Sequence, residues 1–112
     1  MKSSDLALEE AVLNALRARQ PLTFGNTEVR VADDHLEVWL CGRNIAKLHP
    51  PSRMSWSLAG QASSLTFRRL NALFKAFSPV VHSIGRDRGV LTVHYHNGTC
   101  MEILRHTDWF DA

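Results

Sequence analysis

The apolar residues of this 112-residue chain change their spacing three times, and few folds accommodate that pattern. From Leu8 to Leu16 they recur at helical intervals; from Thr27 to Leu58 they alternate with polar residues; from Thr66 to Phe77 the helical interval returns; beyond Val80 the alternation resumes. A helix, a block of strands, a second helix and a second block of strands predict an α+β domain with a mostly antiparallel sheet. The expected order is α-β-β-β-α-β-β, with five to six strands and two amphipathic helices in one domain spanning residues 1–112.

Local signals sharpen this outline. Ser3 or Ser4 can cap the first helix, Asp5, Glu9 and Glu10 suit its positive end, and Arg17 and Arg19 its negative end. Leu8, Val12, Ala15 and Leu16 form its apolar face, and Pro21 stops it. Thr27, Val29 and Val31, then Leu36, Val38 and Leu40, read as half-buried strands around an Asp33-Asp34 turn. Gly42-Arg43-Asn44 turns the chain into an apolar piece from Ile45 to Leu48, and Pro50-Pro51 interrupts it before Met54, Trp56 and Leu58.

Ser63 or Ser64 can cap the second helix. At 100° per residue Thr66, Phe67, Leu70, Leu73, Phe74 and Phe77 share one side, with Arg68, Ala72 and Lys75 opposite. Ser78-Pro79 ends it, and a strand from Val80 to Ile84 enters the glycine-bounded loop Gly85-Arg86-Asp87-Arg88-Gly89. Asn97-Gly98 marks a hairpin with a two-residue turn. That register puts Leu91, Val93, Tyr95, Cys100 and Leu104 on one face and Val90, Thr92, His94, Met101 and Ile103 on the other. Both faces would be apolar and would need cover from the helices or from a second subunit, so a homodimer is a reasonable expectation.

Charge excludes little. Thirteen Lys and Arg stand against eleven Asp and Glu, a formal charge of +2, so any positive field must come from local clustering. Cys41 and Cys100 form no CxxC pair and predict reduced thiols, with Cys41 as a small core residue. Acidic residues break the N-terminal run where a secretion signal needs apolar ones, which predicts a cytoplasmic protein with no membrane partner.

No catalytic apparatus emerges, and no cofactor is expected. His94 and His96 could share a metal with Cys100, His106 or Asp108, but the hairpin register sends Cys100 to the opposite face, so no metal site is assigned. The same face argument separates Cys100 from a histidine base. The carboxylates suit turns, a helix start and the tail, and the glycine-bounded loop lacks the Lys-Ser/Thr of a phosphate loop. What remains is a contact surface: Arg68, Arg69, Ala72 and Lys75 on the second helix, Arg86 and Arg88 on the loop, and Trp109 and Phe110 near the end.

The stretch from Gly42 to Leu73 resembles a pattern in small bacteriophage and plasmid accessory proteins. Ile45-Ala46, Ser57, Ala59-Gly60, Thr66, Arg68 and Arg69-Leu70-Asn71-Ala72-Leu73 carry the match, while Gln61 replaces an aromatic residue. The resemblance implies an accessory protein of a mobile element. The order of elements is also similar to that of type III secretion chaperones and related adaptors, which implies dimerisation through the sheet and second helix and a partner segment held on apolar grooves. Together these readings predict a small non-enzymatic regulatory protein that binds a protein partner as adaptor, chaperone or inhibitor. The alternative is a nucleic-acid binder using Arg68, Arg69, Lys75, Arg86 and Arg88.

Overall fold

The computed structural model describes residues 3–49 and 53–112, with side chains from Ala7 onward. The side chains of Ser3, Ser4 and Asp5, and with them the cap expected at Ser3 or Ser4, lie outside the described part of the structure, as does the Pro50-Pro51 interruption. The elements are α1 (Ser3–Ala18), β1 (Leu22–Phe24), β2 (Thr27–Val31), β3 (Leu36–Leu40), β4 (Arg43–His49), β5 (Arg53–Trp56), α2 (Ser64–Phe77), β6 (Val81–Asp87), β7 (Val90–Tyr95), β8 (Cys100–Glu102) and β9 (Phe110–Asp111).

The fold is α+β, with two helices and antiparallel pairing throughout the described strands. The strands divide between a six-stranded sheet, β1-β2-β3-β4-β5-β9, and a three-stranded sheet, β6-β7-β8. This corrects the expected single sheet of five to six strands. β1 and β9 are three and two residues long, too short to register as alternation, and β9 returns from the end of the chain to pair with β5. A bulge between Val38 and Trp39 on the β3–β4 pairing leaves Ile45 without a partner, which lets consecutive Ile45 and Ala46 both be fully buried.

Both helices cover the same core. α1 contributes Leu8, Val12, Ala15 and Leu16, and α2 contributes Leu70, Leu73 and Phe74, all buried. Ser63 caps α2 by accepting a hydrogen bond from the Thr66 N–H, and the Ser78 N–H closes its last turn on the Phe74 carbonyl just before Pro79. Trp56 joins the layers: its ring meets Phe74 edge-on at 5.3 Å and lies 4.9 Å from Phe110, so β5, α2 and β9 share one aromatic contact.

The loop expected at Gly85-Arg86-Asp87-Arg88-Gly89 is mostly strand. β6 runs to Asp87, which pairs with Val90, and the chain reverses at Arg88 and Gly89 with φ of 53° and 82°. Two consecutive positive φ values are what a tight hairpin turn requires. Cys41 (φ 51°) and Gly42 (φ 79°) do the same between β3 and β4, so Cys41 stands exposed in a turn, not in the core.

Asn97-Gly98 behaves differently. The Gly98 N–H reaches the Tyr95 carbonyl and the Tyr95 N–H reaches the Thr99 carbonyl, giving a three-residue connection with Gly98 at φ 89°. The extra residue moves the register by one: Val93 faces Met101 and His94 faces Cys100. Such a slip changes which side chains share a face. Leu91, Val93, Tyr95, Met101 and Ile103 now point inward together, while Val90, His94, Cys100, Glu102 and Leu104 point outward. The hairpin therefore packs one continuous apolar face on the core, while its outer face mixes exposed Val90 and Leu104 with His94, Cys100 and Glu102.

Asn71 couples α2 to the smaller sheet. Its Nδ2 donates to the Ile84 carbonyl at 3.0 Å and its Oδ1 accepts from the Ile84 N–H at 2.8 Å, so one amide side chain serves as the strand partner that β6 lacks on its open edge. Asn71→Ala removes both bonds and is expected to cost about 2 kcal/mol of stability. Chemical denaturation and hydrogen exchange at the Ile84 amide check this: faster exchange there is expected, and unchanged exchange would show that packing alone holds the edge.

Candidate functional site

The cations assigned to one exposed helix face separate once the chain is folded. Arg69 is only 4% exposed. Its Nε donates to Thr27 Oγ1 at 3.3 Å and its Nη1 lies 3.5 Å from Glu9 Oε1, so it links α2 to β2 and α1. This corrects its placement beside Arg68 on the contact surface. The 100° wheel put it near the boundary between faces, and a carboxylate supplied by α1 draws it inward. Arg68 donates through Nε to the same Glu9 oxygen at 3.1 Å and remains part-exposed.

These pairs reveal how the helices run. Glu9 meets Arg68 and Arg69, Leu13 lies near Ala72 and Leu73, and the Arg17 guanidinium stands 5.8 Å from the Phe77 ring centroid. A nearly constant sequence offset from one end to the other means that α1 and α2 are parallel. Small side chains at Ala72 and Ala76 leave a shallow groove between them, bordered by Glu9, Glu10, Leu13 and Arg17 from α1 and by Arg68 and Lys75 from α2. Phe67 extends the same apolar floor toward the start of α2.

Charge along the groove is graded. Glu9 and Glu10 offset Arg68 at one end, whereas Arg17 and Lys75, each near the end of its helix, give the other end two exposed cations. Their positions also complement the negative ends of the two helix dipoles.

The remaining candidates lie elsewhere. Arg86 belongs to β6 and its Nη2 reaches the Ala62 carbonyl at 3.5 Å, tying the hairpin to the segment before α2. Arg88 is exposed in the hairpin turn. Phe110 is partly buried and packs on Trp56 at the edge of the core, and Trp109 is half-exposed beneath the Lys47 ammonium, which sits 4.6 Å from its ring centroid. Arg68, Ala72 and Lys75 thus come together, Arg69 is inside, Phe110 is partly buried against Trp56, and Arg86, Arg88 and Trp109 do not join the groove.

The histidine pair also separates. His94 stands across from Cys100 on the outer face of the small sheet, correcting the register that kept them apart, while His96 lies beyond β7 with its ring edge-on to His82 at 5.3 Å. Among the described residues, no cluster of three potential metal donors includes either one.

The residues from Ser57 to Asn71 that carry the sequence resemblance each have a structural role. Ser57 Oγ accepts from the Ala59 N–H, and Ala59 and Gly60 turn the chain with φ of 53° and 77°. A Cβ at Gly60 would meet the Arg43 guanidinium at 3.0 Å. Ser-x-Ala-Gly forms the turn before α2, and Arg-Leu-Asn within α2 supplies the buried cation, a core residue and the β6 clamp.

The family model described as Kyanoviridae Gp96 protein matches residues 6–111. The chain belongs to that family. The bacteriophage half of the sequence resemblance therefore holds, and the match carries no link to plasmid proteins or secretion chaperones. No curated protein and no solved structure matches the chain. The family match begins within α1, at Leu6, and takes in the rest of that helix, α2 and all the described strands, so the residues of the interhelical groove lie inside the matched range.

Loss of the Glu9 charge would leave Arg69 buried without its counterion, which is more damaging than removal of both charges. Glu9→Gln is expected to destabilise by about 2–4 kcal/mol, and the Glu9→Gln, Arg69→Met double variant by less than Glu9→Gln alone. Urea unfolding of the two variants decides the point. A double variant less stable than Glu9→Gln would mean that the ion pair contributes little beyond packing.

Proposed function

We propose that this bacteriophage protein works by binding a protein partner, and that the groove between α1 and α2 receives an amphipathic helix of that partner. Parallel neighbouring helices with small residues between them offer a ready-made third position for such a helix. Leu13, Phe67, Ala72 and Ala76 would contact its apolar face, and Arg17 and Lys75 would favour acidic residues at one end.

The observation that carries this reading is the mixed rim. An apolar floor bordered by both signs of charge has the anatomy of a protein interface. A nucleic-acid site would require unopposed cations, yet Arg68 and Arg69 share Glu9, and Arg86 and Arg88 lie on a separate hairpin. Two of the indole rings are also engaged by cations: Arg30 lies over Trp39 at 3.8 Å and Lys47 over Trp109 at 4.6 Å, which occupies one face of each. The groove acts through steering by Arg17 and Lys75 and affinity from its floor.

A photo-crosslinking amino acid placed at Ala72, with the same probe at Glu102 on the outer face of the small sheet as control, tests this in infected cells. After nuclease treatment, Ala72 is expected to give a crosslink confined to one amphipathic helical peptide of one protein, lost when Arg17 and Lys75 are both changed to Glu. Crosslinks to nucleic acid alone, or the same products from Glu102, would overturn the assignment.

A further inference from the structure

The outer face of the six-stranded sheet, remote from the groove in function and independent of that reading, carries a donor cluster that periodicity did not reveal. β3 and β4 pair Leu36 with Leu48 and Glu37 with Lys47. Continued by one residue past the start of β3, that register brings His35 opposite His49. Their rings stack with centroids 5.1 Å apart and planes inclined by 26°. Asp34, on the loop before β3, completes the group: one donor atom from each of Asp34, His35 and His49 lies within 4.8 Å of the others.

The His35 ring is held from both sides. One ring nitrogen, Nδ1, stands 2.6 Å from Asp34 Oδ1, and the other, Nε2, stands 3.0 Å from Glu37 Oε2. Glu37 is itself fixed by a hydrogen bond from Trp39 Nε1 to its Oε1 at 2.9 Å. A carboxylate on the remote nitrogen of a metal-binding imidazole selects the tautomer and orients the ring, and here Glu37 occupies that position with Trp39 as its support.

We propose that Asp34, His35 and His49 bind a divalent cation of the zinc class, with Glu37 orienting His35 through Nε2–H. Two imidazoles and one carboxylate match the donors such an ion prefers, whereas a calcium or magnesium site would be built from oxygen alone. Metal binding at His35 Nδ1 and Asp34 would displace the hydrogen bond that now joins these two atoms. Donors around a tetrahedral zinc stand about 3.3 Å apart, so the cluster must contract on binding. Asp34 can supply that movement, because its side chain is 83% exposed and lies on a loop. Three protein donors facing solvent leave a fourth coordination position for water or for a residue of a partner.

Titration of the intact protein with Zn2+ against a chromophoric chelator at fixed pH tests the site, together with Co2+ absorption and 15N NMR of the imidazoles. One equivalent of zinc is expected, with resonances of His35 and His49 shifted and those of His82, His94 and His96 unmoved. His49→Ala is expected to abolish stoichiometric binding, and Glu37→Gln to weaken it by about 10- to 100-fold. Wild-type protein that takes up no zinc in tenfold excess of metal, zinc that survives His49→Ala in full, or imidazole shifts at His94 and His96 in place of His35 and His49 would each overturn the proposal. The NMR observation needs no substitution and so does not depend on how any variant folds.

Discussion

A single buried cation organises the relation between the helices and the large sheet. Arg69 enters the interior from α2 and finds a hydroxyl on β2 and a carboxylate on α1, so three elements distant in sequence are fixed to one guanidinium. Thr27 in turn donates to Asn26 Oδ1, extending the polar contact into the β1–β2 turn. A charge this far from water is tolerable only where its partners are in place. That requirement holds α1 against α2 at Glu9, and the contacts of Leu13 with Ala72 and of Arg17 with Phe77 continue the pairing in the parallel direction.

The groove is a consequence of the same arrangement. With Glu9 drawn toward Arg68 and Arg69, the next turns of α1 and α2 face one another through Leu13, Ala72 and Ala76, and the short side chains of α2 cannot fill the space. The cations at the ends of both helices then fall at one end of the groove. A surface with graded charge and an apolar floor is built from residues whose first duty is to the fold, and the proposed helix-binding role uses what that packing leaves open. The zinc-class cluster depends on another constraint, the register of β3 against β4.

Much of this architecture was legible in the residue pattern. The helical spacing located α1 and α2 and most of their buried positions, and the Ser63 cap and the Ser78-Pro79 stop were readable from local chemistry. What escaped was set by long-range pairing. Arg69 looked like a surface cation because nothing within α2 indicates that Glu9 and Thr27 will meet it. The Asn97-Gly98 turn was assigned two residues where the chain uses three, and that one residue exchanged Cys100 and Met101 between faces. Arg88-Gly89 and Cys41-Gly42 form tight turns without the Asn or Asp that usually announces them. His35 and His49 become neighbours only through strand register, so their meeting could have been found by extending the β3–β4 pairing, not by inspecting spacing.

Hydrogen–deuterium exchange of the chain, alone and in complex with the partner captured through Ala72, addresses the interface most directly. Protection on binding is expected along α1 and α2, from Glu9 to Arg17 and from Phe67 to Ala76, with the β7–β8 hairpin unchanged. Protection centred on the β6–β7 hairpin, or on the outer face of the large sheet with the helices unaffected, would contradict a partner helix lying between α1 and α2.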